Sequence, residues 1–148
     1  MKRFSQLPLT LYRIQAKPKV NLRDWGDQMA KGRTSYDLKT IDGSVMPMEG
    51  DVFHTPNGMS LRPNSDIMIK ILNNFRGSPR VYALPVGTTL PDCLVVFHEH
   101  SDHYSLQTTV PIPLPILNEK LTQLLANSVS VTKEQFLDAQ EDEDDQDN

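Results

Sequence analysis

Cysteine is almost missing from this sequence. Cys93 stands alone, so no intrachain disulfide can form, which favours a reducing compartment. Long apolar runs are missing too: no stretch reaches the roughly 20 apolar residues that a membrane-spanning helix needs, so no membrane partner is expected. Met1-Lys2-Arg3 opens like a secretory leader, but Ser5, Gln6 and Pro8 break up the apolar stretch a leader would need next, and Leu9 to Gln15 is expected to be a strand rather than a leader's apolar region. No basic stripe with interleaved aromatics occurs, so there is no clear sign of nucleic-acid binding. No histidine or cysteine comes after His103, which starves any metal site begun there of downstream ligands.

What is present fits one domain. The chain has 148 residues, with 38% hydrophobic residues and eleven prolines, which implies a modest core and many loops. The net charge of −4 is concentrated at one end. Glu141 to Asn148 reads EDEDDQDN and holds six acids, and without them the body carries +2. The expected organisation is a folded domain over residues 1–128 and a flexible acidic tail over 129–148, either solubilising or a contact for a basic partner.

Periodicity supplies the elements. Leu9 to Gln15 alternates, with Leu9, Leu11 and Arg13 on one face of a strand. A loop-rich segment runs from Ala16 to Pro63, with a short helix expected within Arg23 to Lys31 and a short strand over Asp51 to His54. Pro63-Asn64-Ser65 caps a helix whose apolar face is Ile67, Met68, Ile71, Leu72 and Phe75, and Gly77 and Pro79 stop it. Strands are expected over Arg80 to Leu84, over the near-continuous apolar run Cys93 to Phe97, and over Tyr104 to Val110. Leu117, Leu121, Leu124 and Leu125 mark a second amphipathic helix, and Thr132 with Gln135 has capping-box spacing ahead of a third. This order predicts an α+β fold.

His98-Glu99-His100-Ser101-Asp102-His103 is the most conspicuous motif. H-x-H-x-D-H after an apolar strand opens the metal site of metallo-β-lactamase-fold hydrolases, and a zinc hydrolase built on His98, His100 and His103 is one candidate function. The missing downstream ligands and the 45 residues left after His103 oppose it. No metal is expected, and the motif is read as a polar strand-to-strand turn with solvated side chains.

The quieter motifs agree with one another. Leu9-Thr10-Leu11-Tyr12-Arg13, the Gly58-Met59-Ser60 turn, Gly87-Thr88-Thr89-Leu90-Pro91-Asp92-Cys93-Leu94, His103-Tyr104 and the helix from Pro115 to Leu125 together resemble a family of small type VI secretion effector toxins with an ADP-ribosyltransferase-like fold, which has fungal relatives. The resemblance implies two packed antiparallel-rich sheets with flanking helices, and NAD as the substrate in a cleft between them. It implies Arg13 as the NAD anchor beside Tyr12, Ser60 as a supporting hydroxyl, and Tyr104 or Tyr82 stacked on nicotinamide. It further implies action in the cytoplasm of a target or host cell on an unknown macromolecular target, with a possible immunity protein. Two departures stand out. Met59 replaces the Thr that precedes the serine in bacterial members. The strand Tyr104 to Thr109 lacks the acid that stabilises an oxocarbenium-like transition state, leaving Gln107 and His103 as the nearest catalytic groups beside Ser60. A catalytically degenerate fold that only binds a protein partner is the alternative.

Overall fold

The computed structural model of the chain describes residues 1–147, with side chains described as far as Asp142. Its elements are β1 (Lys2–Phe4), β2 (Leu11–Gln15), α1 (Trp25–Ala30), β3 (Thr40–Ile41), β4 (Ser44–Val45), β5 (Met59–Leu61), α2 (Asp66–Asn74), β6 (Arg80–Leu84), β7 (Leu94–His100), β8 (His103–Thr108), β9 (Ile112–Pro113), α3 (Leu114–Ala126), β10 (Val129–Thr132) and α4 (Lys133–Asp147). The strands make a four-stranded sheet in the order β1-β7-β8-β5, a three-stranded sheet β10-β6-β2, and a small one, β3-β4-β9. The paired strands in all three sheets run antiparallel.

The backbones of the two larger sheets bond at one residue pair. Tyr12 N–H donates to the Arg62 carbonyl at 2.7 Å, and Arg62 N–H returns to the Tyr12 carbonyl at 3.1 Å. On the Arg13 side of this seam β2 and β5 part, so the backbone edges of two sheets face each other across a gap.

Burial tracks the sequence pattern. Leu117, Leu121 and Leu125 recur every fourth residue of α3 and are 0% exposed; they pack with Leu11, Leu84, Leu61 and Leu106 in the main core. The opposite face of the β10-β6-β2 sheet is covered by α2 and α4, where Met68, Leu72, Val81 and Phe136 form a second cluster with Tyr12 and Ile14 against it. Ser65 caps α2, its Oγ accepting from Met68 N–H at 3.1 Å.

Residues 129–142 do not match the tail expected there. β10 pairs along β6 from Val129 opposite Ala83 to Thr132 opposite Arg80, and Phe136 packs edge-on to Tyr12, with ring centroids 5.3 Å apart. The Thr132 and Gln135 capping box forms, with Thr132 N–H on Gln135 Oε1 at 3.0 Å and Gln135 N–H on Thr132 Oγ1 at 3.1 Å. The folded unit therefore extends past residue 128, because the apolar face of Val131 and Phe136 outweighs the acidic composition around it. Deleting residues 141–148 should leave stability unchanged, since Phe136 remains. Deleting from Lys133 onward should lower it by about 3 kcal/mol, the scale of losing one buried phenylalanine. Urea unfolding of both truncations checks the pair.

The segment from Asp51 to His54 forms bends rather than a strand, and lies in the loop joining β4 to β5. This loop folds over β1 and β7. Arg3 Nη2 donates to the carbonyls of Met48 and Gly50 at 3.3 Å each, and Phe53 packs edge-on to His100. The loop ends at Gly58, which presses against β8: a Cβ built there would stand 2.2 Å from the Leu106 carbonyl oxygen. Gly58→Ala should therefore destabilise by about 3 kcal/mol, at the upper end of ordinary overpacking, read from the urea midpoint. The Asn-Gly turn serves the approach of two strands.

Candidate active site

The gap beside the Tyr12–Arg62 seam is a cleft of about 610 Å³, within the usual range for small-molecule sites. β2 contributes Tyr12, Arg13, Ile14 and Gln15 to its lining, β5 and the residue after it contribute Ser60, Leu61 and Arg62, and Met68, Ile71 and Phe75 give an apolar wall. Arg23 and Asp37 also border it.

Of the three guanidinium groups here, two are matched by carboxylates. Arg23 grips Asp37 through Nε at 3.1 Å and Nη2 at 3.0 Å, and Arg62 holds Asp102 at 2.5 Å. Arg13 has only neutral acceptors: Nε donates to Gln15 Oε1 at 3.2 Å and Nη1 to the Ser60 carbonyl at 3.3 Å. Burial pushes the Arg13 guanidinium below its usual range; the charge of Asp37 opposes this and that of Arg23 reinforces it. The guanidinium is therefore a desolvated cation with no carboxylate bonded to it among the described residues.

Behind Ser60 lies a chain of hydrogen bonds. Ser60 Oγ lies 3.1 Å from His103 Nε2, and His103 Nδ1 lies 2.7 Å from Glu99 Oε2. The Glu99 side chain is 1% exposed. Its other oxygen accepts from Ser105 Oγ at 2.5 Å and from Gln107 Nε2 at 3.3 Å. Gln107 Nε2 also donates to Ser105 Oγ at 2.7 Å, and its Oε1 accepts from Asn57 at 3.4 Å. Burial alone would raise the Glu99 carboxyl, but hydrogen bonds from His103 and Ser105, with the His103 and His100 imidazoles nearby, more than offset it and hold it below the usual carboxylate range.

A register shift on β7 explains how Glu99 reaches this network. His100 pairs with His103 and His98 with Tyr104, so Glu99 is the extra residue of a bulge. Bulges of this kind re-aim side chains beside functional sites.

The residues singled out from sequence thus divide. Arg13, Tyr12 and Ser60 line the cleft, and His103 stands behind Ser60. Gln107 is 0% exposed and engaged within the network. Tyr104 and Tyr82 belong to the main core, Tyr104 stacking on His98 with centroids 4.3 Å apart; neither lines the cleft. The histidine motif is the strand-to-strand turn expected, with His100 and Ser101 exposed, but Glu99 within it is buried. Only Ser101 and Asp102 turn the chain, with Asp102 fixed by Arg62 and Ser65. His98 bonds the Ser101 carbonyl at 2.7 Å, apart from the group of possible metal ligands, which comprises Glu99, His100 and His103 with ligand atoms within 4.8 Å. Both His103 ring nitrogens already have partners, so a metal would have to displace one. Glu99 is the member of this network that sequence reasoning did not single out.

A family model described as the Tse2 ADP-ribosyltransferase toxin matches residues 9–136. The chain belongs to this family. The match begins just before β2 and ends at Phe136, so the cleft and the strands that line it in this Tse2-family chain fall within it. No curated protein and no solved structure gives a significant match. Membership agrees with the mixed α+β architecture of antiparallel sheets and four helices. Among the described residues of this Tse2-family chain, no helix is long and apolar enough to cross a membrane.

Proposed function

We propose that the cleft binds NAD and that the chain is an ADP-ribosyltransferase-like toxin acting in the cytoplasm of a target or host cell, as a type VI secretion effector. One observation carries the NAD reading: Arg13 is a partly buried guanidinium with only neutral acceptors, on the lip of a cleft of about 610 Å³. A pyrophosphate supplies the missing charge, and the planar fork of Arg suits its oxygens. Met68, Ile71 and Phe75 offer an apolar wall for a ring, and Ser60 offers a hydroxyl at the ribose.

The alternative of a degenerate, protein-binding fold drew its force from the missing acid on β8. Glu99, arriving from β7 and linked to Ser60 through His103, weighs against it. Calorimetric titration with NAD tests the proposal. Saturable one-site binding is expected, and the absence of binding to folded protein would overturn it.

A further inference from the structure

The acceptor of the ADP-ribosyl group is the next question, and the relay behind Ser60 bears on it. Glu99 is ionised, buried and bonded to His103 Nδ1 at 2.7 Å. A carboxylate there fixes the proton on Nδ1 and leaves the Nε2 lone pair facing outward. What Nε2 faces is Ser60 Oγ, at 3.1 Å, and Ser60 lines the cleft. A proton taken up at the cleft surface therefore has a continuous route inward: from Ser60 Oγ to His103 Nε2, with Glu99 stabilising the imidazolium that forms.

We infer that Glu99, His103 and Ser60 form a proton-accepting relay, and that the toxin transfers ADP-ribose to a hydroxyl group, on a macromolecule or on water. The inference rests on the NAD reading. In the transfer the bond from the ribose anomeric carbon to the nicotinamide nitrogen breaks, and nicotinamide leaves as a neutral molecule. The acceptor oxygen forms the new bond to that carbon. Its proton passes to Ser60 Oγ as the serine proton passes to His103 Nε2. Charge is conserved: the positive charge lost from the pyridinium ring appears on the imidazole.

Hydroxyl acceptors need such a base, because they carry a proton that must be removed as the bond forms. The surroundings also disfavour the cationic alternative. Arg13 borders the same cleft, and the one carboxylate in the described lining, Asp37, is taken by Arg23, so a guanidinium acceptor would find no unpaired acid there to hold it. Ser60 is the group that touches the acceptor, whereas Glu99 acts through His103 and is a positioning residue.

The test uses the full-length protein, NAD and two small probe acceptors, methanol and agmatine, with products separated by chromatography. NAD affinity is measured first by calorimetry. Binding by wild type establishes the NAD reading independently, and no binding sinks both proposals. Given binding, ADP-ribose and its methyl glycoside are expected, without an agmatine adduct. Glu99→Gln keeps the size of the side chain but holds His103 in the wrong tautomer; its kcat should fall about a hundredfold, the low end of general base catalysis, while NAD affinity stays within about twofold of wild type. Ser60→Ala should lower kcat similarly. Transfer to agmatine in preference to methanol overturns the acceptor assignment. Unchanged kcat in Glu99→Gln or in Ser60→Ala, or loss of kcat and affinity together in folded Glu99→Gln, overturns the relay. Should Glu99→Gln unfold, Ser60→Ala alone decides, since that hydroxyl is at the cleft surface.

Discussion

Arg13→Ala is expected to weaken NAD binding by about ten- to a hundredfold while the protein stays folded. A charge-assisted hydrogen bond to a ligand is worth about 1.5–3 kcal/mol, and every 1.4 kcal/mol is a factor of ten in affinity. Arg13 supplies the cleft's one guanidinium, among those described, that is bonded only to neutral acceptors, so no neighbour takes over its role. Arg13→Lys should recover little, since an ammonium lacks the planar fork and does not reach two oxygens at once. The same geometry makes an opposite prediction for stability. In the empty cleft the guanidinium is desolvated without a carboxylate partner, and replacing such a group with an apolar side chain of similar volume is often neutral or stabilising. Arg13→Met should therefore unfold at an equal or higher urea concentration than wild type while failing to bind NAD. A variant that loses binding only because it loses stability would show that Arg13 holds the sheets together.

Glu99→Ala should be the most destabilising substitution in the site, by about 3 kcal/mol, because it leaves the donors on His103, Ser105 and Gln107 buried without their acceptor. Acid should reproduce part of that effect in wild type. The folded carboxyl lies below its ordinary value of 4.5, so near and below that value the unfolded chain takes up protons more readily than the folded one. The stabilisation is fully present above the unfolded value and is lost as pH falls through the folded one. Asp24, at the start of α1, is lowered too: burial would raise it, but bonds from Thr40 and the helix N–H groups prevail. The signature of Glu99 is therefore a difference. Urea midpoints of wild type and Glu99→Gln should converge as pH drops below about 4.5, and parallel curves would show that the carboxylate contributes nothing.

The fold was legible wherever periodicity ran for a full element. Arg80–Leu84 is β6 with the expected bounds; Ser65 caps α2 as its position ahead of Ile67 and Met68 implied. Two-residue strands such as Thr40–Ile41 and Ser44–Val45 are too short to carry a period, and the loop-rich segment hid them. Composition misled at the C-terminal end, where a dense run of acids masked Phe136. In the site, Arg13 and Ser60 were named through the family resemblance, and both line the cleft; β5, only three residues long, reads from sequence as a turn. Glu99 was not singled out: a hairpin turning regularly between His100 and His103 would set it opposite Tyr104, and only the bulge aims it at His103. A register shift leaves no mark in a single sequence.

The seam between the sheets has a mechanical consequence. One backbone-bonded pair, Tyr12 with Arg62, joins β2 to β5, and the Arg13 side chain adds a bond to the Ser60 carbonyl, so no ladder of backbone bonds fixes the width of the cleft. The same pair is tied to the β7–β8 hairpin. The Arg62 side chain holds Asp102 at 2.5 Å, and Asp102 in turn holds the Ser65 cap of α2. A load on the seam is therefore carried by side-chain bonds to the β7–β8 turn, one residue before His103.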